Sequence, residues 1–301
     1  MKKFLPGCVV LAMAATGSAG IIFSDGFNYG IGPADIVGAP GSYWGETAPA
    51  SVPTMIYTND QLRISFQANQ DINAPLQDAP YASGGPVAAL YSSFTIRFVA
   101  LPTAVGTYIA HFRDVSGLGF RGRVFVSTTN AAAGHYRIGI ANAASTTRAA
   151  WQIPADLSLN TAYFIVFRFN IGTGETYLWL HPALETSPGV AATDFATHTD
   201  VAGFSFRQNA GIGAVAVDDV KVGTSFSDVV PPALMITVVA GDLLLAWPSS
   251  ASDYVFRFTN SLPAQWSDFN DQGTVQGDFK VVTLSGVLGG AGNRFLELRK
   301  P

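Results

Sequence analysis

Between Leu62 and Arg207 the chain alternates apolar and polar residues in run after run, and nowhere does it sustain a helical period. The runs fall at 62–66, 94–98, 108–113, 123–127, 136–141, 163–169, 176–180 and 204–207. Alternate side chains of a strand point to opposite faces, so each run presents one apolar face and one wetter face. Turn-forming residues punctuate the runs at 114–117, 130–134 and 172–174. This pattern predicts an all-β, antiparallel sandwich. Two stretches, 67–86 and 182–199, read as long irregular loops, the first carrying three prolines and Gly84-Gly85. Residues 156–160 read as a single helical turn.

Two short acidic strands bracket this region. One is Ile22-Phe23-Ser24-Asp25-Gly26-Phe27-Asn28-Tyr29, and the other is Val215-Ala216-Val217-Asp218-Asp219-Val220-Lys221-Val222. Paired with each other, they would close the module. Val229-Val230-Pro231-Pro232 then reads as a stiff linker, because proline cannot continue a central strand. Beyond it, two apolar runs flank Ala240-Gly241-Asp242 as a hairpin, and further strands complete a small β unit of about seventy residues. The expected organisation is a signal peptide at 1–19, a large β domain at 20–229, a linker at 230–232 and a small β domain at 233–301.

The first residues read as an export signal. Lys2 and Lys3 precede a short apolar run, and Thr16-Gly17-Ser18-Ala19 offers small residues for cleavage. That run is shorter than the ~20 apolar residues needed to span a bilayer, and no second long apolar stretch follows. Leu5-Pro6-Gly7-Cys8 has the outline of a lipobox, but almost no apolar stretch precedes Cys8. Cys8 is the sole cysteine, so a chain cleaved near Ala19 holds no disulfide and depends on core burial. The expected location is secreted or cell surface. A formal charge of -4 argues against nucleic acid as a partner.

The bracketing pieces Asp25-Gly26-Phe27-Asn28-Tyr29 and Val217-Asp218-Asp219-Val220-Lys221-Val222-Gly223 resemble the ends of laminin-G-like, concanavalin-type jelly rolls. The runs Tyr108-Ile109-Ala110-His111-Phe112-Arg113-Asp114, Phe120-Arg121-Gly122-Arg123-Val124-Phe125 and Leu178-Trp179-Leu180-His181-Pro182 are similar to those of exported bacterial proteins of that fold. The likeness covers 21 to about 229. The tail, with Leu245-Ala246-Trp247-Pro248, Tyr254 and Trp266, resembles a small fibronectin-III-like module. The first resemblance implies a two-sheet jelly roll that recognises extracellular carbohydrate or a cell-surface component. It also implies a structural calcium where the first and last strands meet, with Asp25, Asn28 and one of Asp218 and Asp219, which alternation points to opposite faces, as ligands and the Gly26 carbonyl adding an oxygen. Against calcium stands the plainer reading that these aspartates cap strand-end amides or pair with a cation.

No catalytic constellation stands out. Jelly-roll glycosidases place two carboxylates a few residues apart on one strand. The four glutamates here, Glu46, Glu175, Glu185 and Glu297, have no acidic partner at such spacing. No His-Glu-x-x-His or Gly-x-Ser-x-Gly is present. His111 and His135 could form half a metal site if their strands were neighbours. Arg63, Arg97, Arg113, Arg123, Arg137, Arg168 and Arg207 each fall in a strand. Several should share a face, either as an ordinary solvent face or as a grip for anionic glycan. Tyr43, Trp44, Tyr81 and Trp151 are the candidate sugar-stacking rings, set against the usual role of such rings as core plugs. Either Tyr177 and Trp179 or Leu178 and Leu180 should face the core. The expectation is a non-catalytic binding module. The alternatives are a structural or adhesive surface protein and a polysaccharide-active enzyme with an unfamiliar acid/base set.

Overall fold

The structure is a computed structural model that describes residues 20–30, 32–46, 55–65, 70–142, 151–192, 194, 200–240, 242–249, 251, 254–259, 265–269, 271–285 and 295–299. The expected signal peptide with Cys8, and His198, lie outside the described residues.

The strands of the larger region, in chain order, are β1 (Ile21–Asp25), β2 (Ala34–Asp35), β3 (Gly45–Glu46), β4 (Ile56–Thr58), β5 (Gln61–Ser65), β6 (Asp71–Pro75), β7 (Ala89–Ala100), β8 (Thr107–Asp114) and β9 (Phe120–Ser127). They continue as β10 (His135–Ala141), β11 (Trp151–Gln152), β12 (Leu157–Ser158), β13 (Tyr163–Asn170), β14 (Thr176–Leu180), β15 (Gly189–Ala192), β16 (Val201–Arg207) and β17 (Ala214–Gly223), followed by the short helix α1 (Phe226–Val229). They form a two-sheet antiparallel jelly roll. The first sheet runs β15-β14-β13-β7-β17-β5-β4-β2, with β1 also on β17. The second runs β11-β10-β9-β8-β16-β6-β3, with β12 on β10. The two bracketing strands do pair, Asp25 opposite Val220.

Alternation explains the core. Phe94, Phe98, Phe112, Phe167, Phe204 and Phe206 come from both sheets and meet in one buried cluster. Each such ring stabilises the fold by roughly 1.5–3 kcal/mol relative to exposure. Both Trp179 and Leu178 are buried, on opposite faces. Leu178 joins the main core, while Trp179 packs outside the first sheet with Tyr91, Val166, Phe226, Val229 and Val230.

Three local expectations are corrected. The stretch 67–86 contains β6, in which Ile72 and Ala74 enter the core while Asp71 and Asn73 do not. Its alternation was masked by the neighbouring prolines. The stretch 182–199 contains β15, an edge strand on β14. Residues 156–160 form no helical turn; Leu157 and Ser158 pair with Tyr136 and His135.

The tail is also β. Met235–Val239, Asp242–Pro248, Phe279–Leu284 and Thr274–Gln276 form one sheet, and Ser267–Asp268, Val255–Thr259 and Phe295–Arg299 form another. Leu245, Trp247, Phe256 and Val282 are buried between them in a cluster of their own, with Trp247 stacked on Phe256 at 5.9 Å. Among the described residues no helix is long and apolar enough to cross a membrane.

Candidate functional site

The four expected sugar-stacking rings do not converge. Tyr43 is 71% exposed, but its neighbour Trp44 is 3% exposed and packs on Phe23, Phe27 and Phe206. Trp44 and Tyr43 adjoin β3, at one edge of the second sheet; Trp151 begins β11, at the other. Five strands lie between β3 and β11, so six inter-strand spacings put them roughly 29 Å apart. Trp151 packs partly against the core. Tyr81 is buried, its hydroxyl donates to the Gln77 carbonyl, and its ring lines a cleft of about 380 Å³ with Ile22, Asp78 and Pro80.

The expected calcium ligands are also placed otherwise. The Asp25 carboxylate accepts from the Phe27 amide at 2.7 Å, from the Trp44 indole N–H at 2.6 Å and from the Tyr29 hydroxyl. Burial and the Asp25 charge together push the Tyr29 phenol well above its ordinary value. Asp25 is thus a hub that ties the chain entry to the core, and donors already point at both of its oxygens. Asp218 accepts the Asp219 amide at 2.8 Å. Asp219 sits in a bulge of β17 at φ 51°, and Asn28 is exposed. A calcium shell needs six to eight oxygens free to face one ion, and no group of three or more His, Cys, Asp or Glu able to hold a metal occurs among the described residues. Among the described residues, then, the seam shows no metal-binding group of that kind. The half-site of His111 and His135 fails too: β9 lies between their strands.

The outer face of the second sheet, away from the core, gathers a different set. Arg123 and Phe125 alternate on β9 with Val124 and Val126, which enter the core. On β8 a register shift places both Ile109 and Ala110 in the core, so Tyr108 and His111 share the outer face although three residues apart. A second shift, at Gly122 with φ +59°, resets β9; a Cβ there would sit 3.1 Å from the Phe167 ring. Cross-strand partners complete the set: Tyr108 faces Phe125, His111 faces Ser205, Arg123 faces Ala141, and Asp71 faces Arg207.

This face has an aromatic floor with guanidiniums laid on it. Tyr108, Phe125 and Ala141 form a cluster with Phe120 against them. The Arg207 guanidinium lies 4.3 Å from the Tyr108 ring centre, and Arg123 lies 5.2 Å and 5.3 Å from Tyr108 and Phe125. The His111 ring packs 4.4 Å from Phe120 and is 3% exposed. Burial, with the charges of Arg123, Arg207 and Arg113 added, lowers its pKa to about 3, so the imidazole is neutral at ordinary pH. Burial raises Asp71 to about 6, against the opposing pull of Arg207. Three buried polar atoms here, His111 Nδ1, Ser205 Oγ and Asp71 Oδ1, have no hydrogen-bond partner within the protein. Such atoms are rare in native interiors and suit a ligand or water.

Of the strand arginines, Arg113, Arg123, Arg137 and Arg207 belong to the second sheet and Arg63, Arg97 and Arg168 to the first. Arg137 pairs with Asp156 at 2.8 Å and Arg168 with Glu185 at 2.8 Å, as an ordinary polar face predicts. The Arg207 pair with Asp71 is longer, 3.8 Å. Sequence reasoning named the arginines, and His111 only as half of a metal site, but gave Tyr108, Phe125 and Ser205 no functional role. The two register shifts hid their common face.

No protein-family model matches the chain, and no curated protein matches it. Solved structures do. One is the exoplasmic/lumenal domain of VIP36 in a Ca2+/Man2-bound form, at 15% identity over 69% of this chain and 90% of that one, TM-score 0.40. Another is lectin II from Ulex europaeus, at 15% identity over 66% and 96%, TM-score 0.40. A third is domain 4 of AbnA, an extracellular arabinanase from Geobacillus stearothermophilus, in complex with arabinotriose, at 12% identity over 68% and 92%, TM-score 0.40. What each of those proteins binds is a property of that protein.

Proposed function

We propose that this chain is an exported, non-catalytic module that binds extracellular carbohydrate on the outer face of its second sheet. The observation that carries the reading is the floor of Tyr108, Phe120 and Phe125 set with Arg123, Arg207, His111 and Ser205. Sugars offer apolar C–H faces to rings and hydroxyls to polar groups; Phe120 and Arg207 are the partly exposed members of this floor, while Tyr108 and Phe125 are buried. The partnerless Nδ1 and Oγ of paired residues give hydroxyls something to bond. The jelly-roll resemblance points the same way by analogy only.

The reading is non-catalytic because each glutamate has its own separate occupation. Gln70 donates to Glu46, Thr173 to Glu175, Arg168 to Glu185 and Arg257 to Glu297. One observation favours a second reading. Asp71 at about 6 lies near the value useful to a general acid, on the same face as the rings. A glycoside hydrolase would still need a second carboxylate across the sugar.

A glycan array probed with the secreted protein tests the first reading, and Tyr108→Ala should abolish the signal. A wild-type protein that binds no glycan would return the chain to the structural or adhesive class. Release of reducing or unsaturated ends from polysaccharide, lost in Asp71→Asn, would establish the enzyme.

A further inference from the structure

The carbohydrate reading leaves open which sugars fit, and the charges on this face narrow the choice. Three guanidiniums, Arg113, Arg123 and Arg207, act on the buried His111 from β8, β9 and β16. The carboxylates that oppose them include Asp71, across the strand from Arg207, and Asp194, which acts on Arg123. The Arg207 side chain is 23% exposed, with its guanidinium carbon over the Tyr108 ring, 4.3 Å from the ring centre. Stacking holds the plane of its fork but uses none of its N–H donors. Its polar contacts are long: 3.4 Å to Thr107 Oγ1 and 3.8 Å to Asp71 Oδ2. A separation of 3.8 Å is an ion pair without a hydrogen bond.

We infer that this face takes acidic sugars, uronates whose carboxylate is gripped by the guanidinium of Arg207 while the sugar ring lies against Phe120, the partly exposed ring beside Tyr108. This rests on the carbohydrate reading above. A planar carboxylate matches a planar fork with two parallel hydrogen bonds; two oxygens of a sulfate ester can span the same fork, and the sulfated glycan in the panel below separates the two. Ser205 shares β16 with Arg207 and His111 shares β8 with Tyr108, and their unpartnered polar atoms lie buried in the same face.

The test is calorimetric titration of the full mature protein with galacturonate, glucuronate and mannuronate–guluronate oligomers. Their methyl esters keep the ring but lose the charge. Neutral glucan and xylan oligomers and a sulfated glycan complete the panel. The expected result is that at least one uronate binds and its ester binds at least about tenfold more weakly, a factor of ten being about 1.4 kcal/mol. Arg207→Ala should weaken uronate binding by a similar factor, and Arg207→Lys should fail to restore it, because an ammonium lacks the fork. Arg207→Gln keeps much of the stem over Tyr108, so it reads the charge even if the alanine variant folds poorly; thermal midpoints monitor that.

An ester bound as tightly as the acid overturns the inference and leaves the carbohydrate reading standing. So does binding confined to neutral or sulfated glycans. Uronate binding unchanged in both Arg207→Ala and Arg207→Gln places the site elsewhere and overturns it. No binding across the whole panel sinks both readings together.

Discussion

Both outer faces of the sandwich carry buried aromatic rings, yet different partners cover them. Outside the first sheet, Tyr91, Val166 and Trp179 meet Phe226, Val229 and Val230, supplied by α1 and the residue after it. Most polar atoms there are matched: Trp179 Nε1 donates to the Ser187 carbonyl at 3.0 Å, Tyr91 to Glu185 at 2.7 Å and Ser93 to the Val229 carbonyl at 2.8 Å, although the Arg168 guanidinium lies 5.9 Å from the Trp179 ring and its Nε has no partner. Outside the second sheet the rings meet guanidiniums, and His111 and Ser205 keep polar atoms with no partner in the protein. A face closed by the chain's own apolar residues is finished as structure. A face built of rings, charges and unsatisfied donors is costly to maintain unless something else completes it.

The comparison is broken most directly by removing one ring from each face. Trp179→Ala should destabilise the fold by about 3–5 kcal/mol, the usual cost of deleting a buried large aromatic, with uronate affinity unchanged while the protein remains folded. Tyr108→Ala should do the reverse, with a smaller loss of stability and a larger loss of binding. Urea unfolding and calorimetry read the two quantities. If Trp179→Ala costs under about 1 kcal/mol, α1 is not a structural cap.

Asp25 gives a smaller but sharper effect. Asp25→Ala strands the Trp44 indole N–H and the Phe27 amide in a partly buried setting, at a cost of about 2–3 kcal/mol. The wild-type melting midpoint should be the same with calcium and with a chelator. A midpoint raised by calcium would mean that the seam binds metal after all.

The cap also bears on how the chain divides. We propose that Pro231-Pro232 separates two independently folding parts. Because Val229 and Val230 are buried under the first sheet, limited proteolysis should cut at 231–234 and spare 226–230. A first cut inside α1 would show that the cap opens readily.

What the sequence revealed follows the same division. Alternation and the acidic brackets were enough for the sandwich, because a regular strand writes its two faces directly into its residues. The pairing of β1 with β17 followed from Asp25 and Val220 lying in those brackets. The candidate site was not legible, since it depends on shifts that break alternation. Strict period two would place Tyr108 with Ala110 and His111 with Ile109. The structure instead pairs Tyr108 with His111 across a bulge. Trp44 misled for another reason. Its Gly41-Ser42-Tyr43 context looks like a loop tip, but the partner that draws it inward, Asp25, lies nineteen residues earlier.

The smallest expected effect is a pH dependence centred on Asp71. Burial raises its pKa to about 6, with Arg207 and the Gln208 amide pulling the other way. Between its ordinary value and about 6 the folded protein holds a proton that the unfolded chain has released. Stability contributed through this group therefore falls as pH rises across that window and levels off above it. Binding should follow the same sign. Above pH 6 the ionised Asp71 competes for Arg207 and repels a uronate; below it the neutral acid does neither. A uronate stays ionised at pH 5, since an ordinary carboxylate titrates near 4. His111, lowered to about 3, stays neutral throughout and adds no trend. Uronate affinity should thus be a few-fold tighter at pH 5 than at pH 7. Asp71→Asn should flatten that dependence and hold the tighter value at both. A wild-type affinity that is flat from pH 5 to 7 would mean that Asp71 does not face the bound anion, and the ligand would then have to approach Arg207 from the β8 side.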